Sequence, residues 1–111
     1  MRRIVMVDAE NIEKFSGLFV GNISEHFNQN TICYGVVDDT QEEKQIPIAL
    51  LMADFIKREL MISWMYVAKP YRQQYVMTEL LTNLINNARN TKIVKTISCV
   101  VTDEEVAEYL F

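Results

Sequence analysis

The chain has 111 residues, half of them apolar, a formal net charge of −4 and a pI of about 4.9. That length suits one domain spanning residues 1–111, with a core that needs no staples. The acidic balance argues against a non-specific nucleic-acid coat, which needs a strongly basic surface. It does not exclude a nuclease, where a metal held by carboxylates meets the phosphate. With three glycines and two prolines there is no linker, repeat or low-complexity tract. No apolar run approaches the roughly 20 residues of a membrane span, and Met1–Asp8 is too short for a signal peptide. A cytoplasmic protein without membrane contact is expected.

In chain order, Ile4–Val7 is a short apolar run ended by Asp8, and Thr31–Val37 is a second, ended by Asp38 and Asp39. Met61–Val67 is a third, ended by Lys69 and Pro70, and Thr96–Val101 a fourth, ended by Asp103, Glu104 and Glu105. Continuous runs of this kind suit parallel strands buried on both faces. The spacing between them predicts helices over residues 10–28, 41–60 and 71–89, and a short capped helix at the end; Gly17 and Gly21 mark a break in the first. The order βαβαβαβα implies an α/β domain with a parallel four-stranded sheet, helices on both faces and right-handed crossovers. With strand order 3-2-1-4, the ligand crevice would lie between the first and last strands. Cys33 and Cys99 sit in strand runs and read as buried, reduced thiols.

Three strands thus end in acids: Asp8, Asp38–Asp39, and Asp103 with Glu105. In a parallel sheet these carboxylates gather at one edge and repel unless a cation joins them. Mg²⁺ or Mn²⁺ would suit such oxygen ligands. Each Asp could equally be a helix N-cap. Lys69, Arg72, Arg89, Lys92 and Lys95 form a local basic excess, with Tyr66, Tyr71 and Tyr75 nearby for stacking on single-stranded RNA. Tyr71–Tyr75 is notably polar for a strand-to-helix junction. His26, the single histidine, reads as a surface residue near a helix end. No nucleophilic triad motif and no Gly-rich phosphate loop occurs.

The segment Met6-Val7-Asp8-Ala9-Glu10-Asn11-Ile12, followed late in the chain by Val100-Val101-Thr102-Asp103-Glu104-Glu105, resembles PIN-like nuclease domains of the NYN type. The resemblance implies a three-layer Rossmann-like fold and metal-dependent cleavage of RNA. It makes Asp8 and Asp103 the metal ligands, with Glu79 and Glu105 completing a catalytic set. Asn11, Lys69 and Arg72 would contact substrate. The family's Asp after the third strand has no counterpart in Pro70–Gln74, and Glu105 stands where it has a second Asp. The alternative is a non-catalytic interaction or oligomerisation module on the same fold. Self-association into a homo-oligomer is expected under either reading, because a short sheet leaves an edge to cover.

Overall fold

The structure is a computed structural model that describes residues 2–41 and 44–99. Among the described residues five strands form one sheet in the order β1-β2-β3-β4-β5: β1 Arg2–Met6, β2 Thr31–Gln41, β3 Lys44–Ile56, β4 Glu59–Val67 and β5 Thr96–Cys99. The pairs β1–β2, β2–β3 and β3–β4 are antiparallel, and only β4–β5 is parallel. That single parallel pair is the one joined through a long helix, α2 (Val76–Thr91), since parallel neighbours need a crossover while antiparallel ones can be joined by a tight turn.

The expected parallel four-stranded Rossmann-like sheet is therefore not the fold. The error lies in residues 41–60. Residues 46–56 (IPIALLMADFI) are almost all apolar, which together with the Ala, Leu and Met content suggests a helix. They form the central strand β3 instead, covered on both faces: Ile48, Ala49, Leu50, Leu51, Met52 and Ala53 are all 1% exposed or less. A strand buried on both sides shows no alternation, so periodicity cannot tell it from a buried helix. Pro47 is the residue that a helix interior would not have tolerated. It sits beside a register shift in the β2–β3 ladder, where Val36 faces Ala49 but Val37 faces Pro47, a place where a strand accepts proline.

The antiparallel pairing also scatters the expected acidic edge. Asp8 follows the C-terminal end of β1, whereas Arg2 at the other end pairs with Asp38 and Arg3 forms an ion pair of 3.8 Å with Asp39. Asp38 and Asp39 lie inside β2, not beyond it. Strands β1 and β5 stand at opposite edges of the sheet instead of side by side. The expected final helix, with Asp103 and Glu105, lies outside the described residues.

Helix α2 covers one face, setting Val76, Met77, Leu80, Leu84 and Ala88 against Tyr34, Val36, Leu51 and Leu60. The other face is covered by a 3-10 segment, Ile12–Leu18, and a one-turn helix, α1 (Ile23–His26). The helix expected over 10–28 is thus broken in two in the Gly17–Gly21 region. Val7, Ile12, Phe15, Leu18 and Ile23 pack there on Cys33, Leu50 and Met52. Cys33 is a free, buried thiol, as expected. The Cys99 side chain lies outside the described part, but its strand is separated from β2 by two others. At about 4.8 Å per strand the two backbones are roughly 14 Å apart, too far for a disulfide.

Candidate functional site

Of the residues singled out for metal chemistry, Asp8 and Glu79 are among the described residues, while Asp103 and Glu105 lie outside them. Asp8 and Asn11 cap one another: Asp8 Oδ1 accepts from the backbone N–H of Glu10 (2.9 Å) and of Asn11 (3.1 Å). Asn11 Oδ1 in turn accepts from the Asp8 N–H at 2.7 Å, and Asn11 Nδ2 donates to the Met6 carbonyl. This is an Asx-type turn that starts the 3-10 segment. Glu79 lies in the first turns of α2, where its Oε1 accepts from Arg2 Nη2 at 3.3 Å. Arg2 and Asp8 mark opposite ends of β1, about 20 Å apart at roughly 3.3 Å per residue, so Asp8 and Glu79 share no site. Among the described residues no group of three or more His, Cys, Asp or Glu side chains is placed to hold a metal ion.

A different site forms at the C-terminal end of β4. The strand carries an irregularity, because Ala53 faces Ile62 while Met52 faces Trp64, leaving Ser63 as an extra residue. Such bulges bend a strand and often sit beside active sites. The parallel partner β5 pairs only with Glu59–Ile62. Among the described residues, Ser63–Val67 therefore have no strand neighbour on that side. The chain then runs through Ala68–Tyr75 into α2. Gln73 and Tyr75 adopt left-handed backbone, with φ of 64° and 61°. Tyr75 is the N-cap of α2 and makes no side-chain hydrogen bond to its first turn. The 16-residue helix begins where this loop ends, with its N-terminal N–H groups and the positive end of its dipole at that end.

Lys69 and Arg72, expected to contact substrate, both lie in this loop. Arg72 Nε donates to the Val67 carbonyl at 2.9 Å, and its guanidinium lies 5.5 Å from the Tyr66 ring centre. Tyr66 begins a row of rings along the face that carries the 3-10 segment. Tyr66 and Trp64 are nearly parallel at 6.5 Å, Trp64 and Phe19 are 4.9 Å apart, and Phe19 and His26 are 5.1 Å apart. Trp64 Nε1 donates to the Leu18 carbonyl at 2.9 Å, which ties the strand to the end of the 3-10 segment. Next to this row is a cleft of about 280 Å³ lined by Phe19, Val20, His26, Met52, Asp54, Ser63 and Trp64. His26, read from sequence as a surface residue, is exposed and also lines the cleft.

Sequence reasoning missed Asp54, Ser63, Trp64 and the amides of α2. The available signals were the polar Ser63 inside an otherwise apolar run, and the polar Tyr71–Tyr75 junction.

Comparison with known proteins identifies the arrangement. Residues 5–111 match the acetyltransferase (GNAT) family. The ribosomal-protein-S18-alanine N-acetyltransferase from Escherichia coli superposes with a TM-score of 0.72 at 14% identity, over 98% of this chain and 74% of that one. NAA60 from Arabidopsis thaliana, solved with a bisubstrate analogue, gives 0.78 at 12% identity over 99% and 80%. AAC(6')-Iy, solved with the bisubstrate analogue CoA-S-monomethyl-acetylneamine, gives 0.72 at 13% identity over 96% and 84%. No curated protein matches in sequence. These findings overturn the resemblance to PIN-like nucleases and the nuclease activity drawn from it. The non-catalytic module offered as its alternative has no support either. The expectation of RNA as substrate rested on the nuclease and has no support, while the expectation of Mg²⁺ or Mn²⁺ is not tested by these comparisons. Among the described residues no helix is long and apolar enough to cross a membrane. The match extends over nearly the whole sequence, and the chain belongs to the acetyltransferase (GNAT) family.

Proposed function

We propose that this protein transfers an acetyl group from the thioester of acetyl-coenzyme A to an amine. The observation that carries the reading is the junction of β4 and α2: Ser63–Val67, with no strand neighbour on the β5 side among the described residues, run through the Ala68–Tyr75 loop to a helix N-terminus with no side-chain cap hydrogen bond. A helix N-terminus of this kind suits a phosphate, and coenzyme A carries a diphosphate. The N–H groups of Val76, Met77 and Thr78 have no acceptor within the helix and would hold it. Left-handed residues at Gln73 and Tyr75 turn the loop backbone around the same point, as in other anion-binding loops. Two acids stand near this loop: Glu79 is paired with Arg2, which offsets its charge, and Asp38 accepts from the Tyr71 hydroxyl at 3.4 Å.

When bound, the coenzyme supplies an acyl group on a good leaving group. Along β4, the backbone N–H groups that have no strand neighbour among the described residues would orient and polarise a carbonyl. The amine enters from the cleft on the Trp64 face, with its lone pair free. Its nitrogen forms a bond to the acetyl carbon, the carbon–sulfur bond breaks, and the electron pair leaves on sulfur. The nitrogen loses one proton to solvent and the sulfur gains one, giving an amide and a free thiol. Holding both reactants in one groove makes the reaction effectively unimolecular.

The test is thiol release from acetyl-coenzyme A in the presence of short primary amines, with the acetylated amine identified by mass. Amine-dependent thiol release is expected. A protein that binds no coenzyme A, or releases thiol at the same rate with and without amine, would overturn the reading.

A further inference from the structure

The cleft beside the β4 bulge combines two chemistries that point to one ligand class. Phe19 and Trp64 pack against each other with ring centroids 4.9 Å apart and planes tilted by 57°, and the His26 ring lies 5.1 Å from Phe19 on a similar tilt; Phe19 and Trp64 both line the cleft. Asp54 stands on the same lining, and Thr31 Oγ1 donates to its Oδ1 at 3.2 Å. That bond engages one of the two carboxylate oxygens. Ring faces attract cations through their quadrupole, and a carboxylate accepts strongly from an ammonium group. Lys57 and Arg58 directly follow β3, but neither lines the cleft. Its volume of about 280 Å³ equals about nine waters at roughly 30 Å³ each. That suits a short linear chain, since it lies at the lower end of the about 300–1,000 Å³ of ligand pockets.

We propose that the acceptor carries two amino groups. One takes the acetyl group at the β4 opening, and the other, as an ammonium, sits among Phe19, Trp64 and Asp54. This rests on the acetyl-transfer reading above and names the substrate class of the same site: short linear diamines. Asp54 and Phe19 then act as specificity-determining residues. The bond changes are those already given, and the second ammonium keeps its protons throughout.

Trp64 is the single tryptophan, so its fluorescence reports on the cleft without any coenzyme. Titration with 1,4-diaminobutane is expected to show binding about tenfold tighter than with 1,4-butanediol, the scale of one charge-assisted contact. In transfer assays kcat/KM for 1,4-diaminobutane should exceed that for n-butylamine by about tenfold, mostly through KM. Asp54→Asn keeps an acceptor for Thr31 and should bring both ratios towards one. Phe19→Leu, which keeps apolar bulk and removes the ring face, should do so in part and serves if the first variant does not fold. Equal use of diamine and monoamine by the wild type overturns the proposal and leaves acetyl transfer standing. Acetylation of neither amine overturns acetyl transfer, and the proposal with it.

Discussion

The ring of Phe15 lies directly over Gly35, so closely that a Cβ at position 35 would overlap its edge. Gly35 is in β2, between Val5 of β1 and Leu50 of β3, and Phe15 is 1% exposed. The absent side chain lets the 3-10 segment settle onto the sheet, a common use of glycine within a strand. Gly35→Ala is expected to destabilise the protein by about 1–3 kcal/mol, the usual range for overpacking a filled core. Phe15→Leu added to it should recover part of the loss, because the clash is with the ring. Urea unfolding of the two variants checks this; a Gly35→Ala midpoint equal to wild type would refute the close packing.

Cys33 gives a pH prediction. It is 2% exposed, in the cluster with Phe15, Leu50 and Met52, and burial pushes its thiol from 9.0 up to about 12. Removing a thiolate from water is unfavourable, so the folded protein holds the proton longer than the unfolded chain does. Between about pH 9 and pH 12 the unfolded state binds fewer protons, and this group therefore lowers stability as pH rises through that window. Below pH 9 it contributes no pH dependence. Cys33→Ala should flatten the decline in thermal midpoint between pH 9 and 10.5 relative to wild type. Thiol-specific labelling at pH 8 should reach Cys33 only on unfolding. Parallel declines in both proteins would show that other groups set the alkaline limit.

Sequence patterning located most elements and misjudged how they join. The runs Ile4–Val7, Thr31–Val37, Met61–Val67 and the start of Thr96–Val101 are strands, and the 71–89 pattern is α2, which spans Val76–Thr91. What defeated the reading was β3 and its turn into β4. That turn is Lys57-Arg58, both in left-handed backbone with φ of 51° and 68°. Tight hairpin turns of this hand usually advertise themselves as Asn-Gly or Asp-Gly, and Lys-Arg gives no such signal. Without a visible hairpin, an alternating β/α order was the consistent solution, and a parallel sheet followed from it. Asp8 misled for a related reason: in sequence an Asx turn and a metal ligand both appear as an Asp after a strand. The site itself depends on backbone: a bulge at Ser63 and a helix N-terminus behind Tyr75 carry no distinctive side-chain pattern. Lys69 and Arg72 stand out in the sequence because they belong to a local basic excess, and the loop that holds them is polar where burial would favour apolar residues.

The last prediction separates helix stability from coenzyme binding at one position. Thr78 is exposed in the first turn of α2, and Thr78→Asp places a carboxylate beside the helix N-terminus. There it interacts well with the dipole and should stabilise the fold by about 0.3–1 kcal/mol. The same charge would lie close to a bound diphosphate. Two unit charges about 6 Å apart repel by about 0.7 to about 2.8 kcal/mol for effective dielectrics between about 80 and 20. KM for acetyl-coenzyme A should therefore rise by about 3- to 100-fold, and less so at high salt. The value of kcat should change little, because the diphosphate is remote from the reacting carbonyl. Thr78→Asn adds similar bulk without charge and should raise KM far less. The prediction requires opposite signs in two measurements on one protein: a higher melting temperature and weaker coenzyme binding. A Thr78→Asp protein that melts higher yet keeps the wild-type KM would place the diphosphate away from α2, and would remove the structural support for the groove along β4.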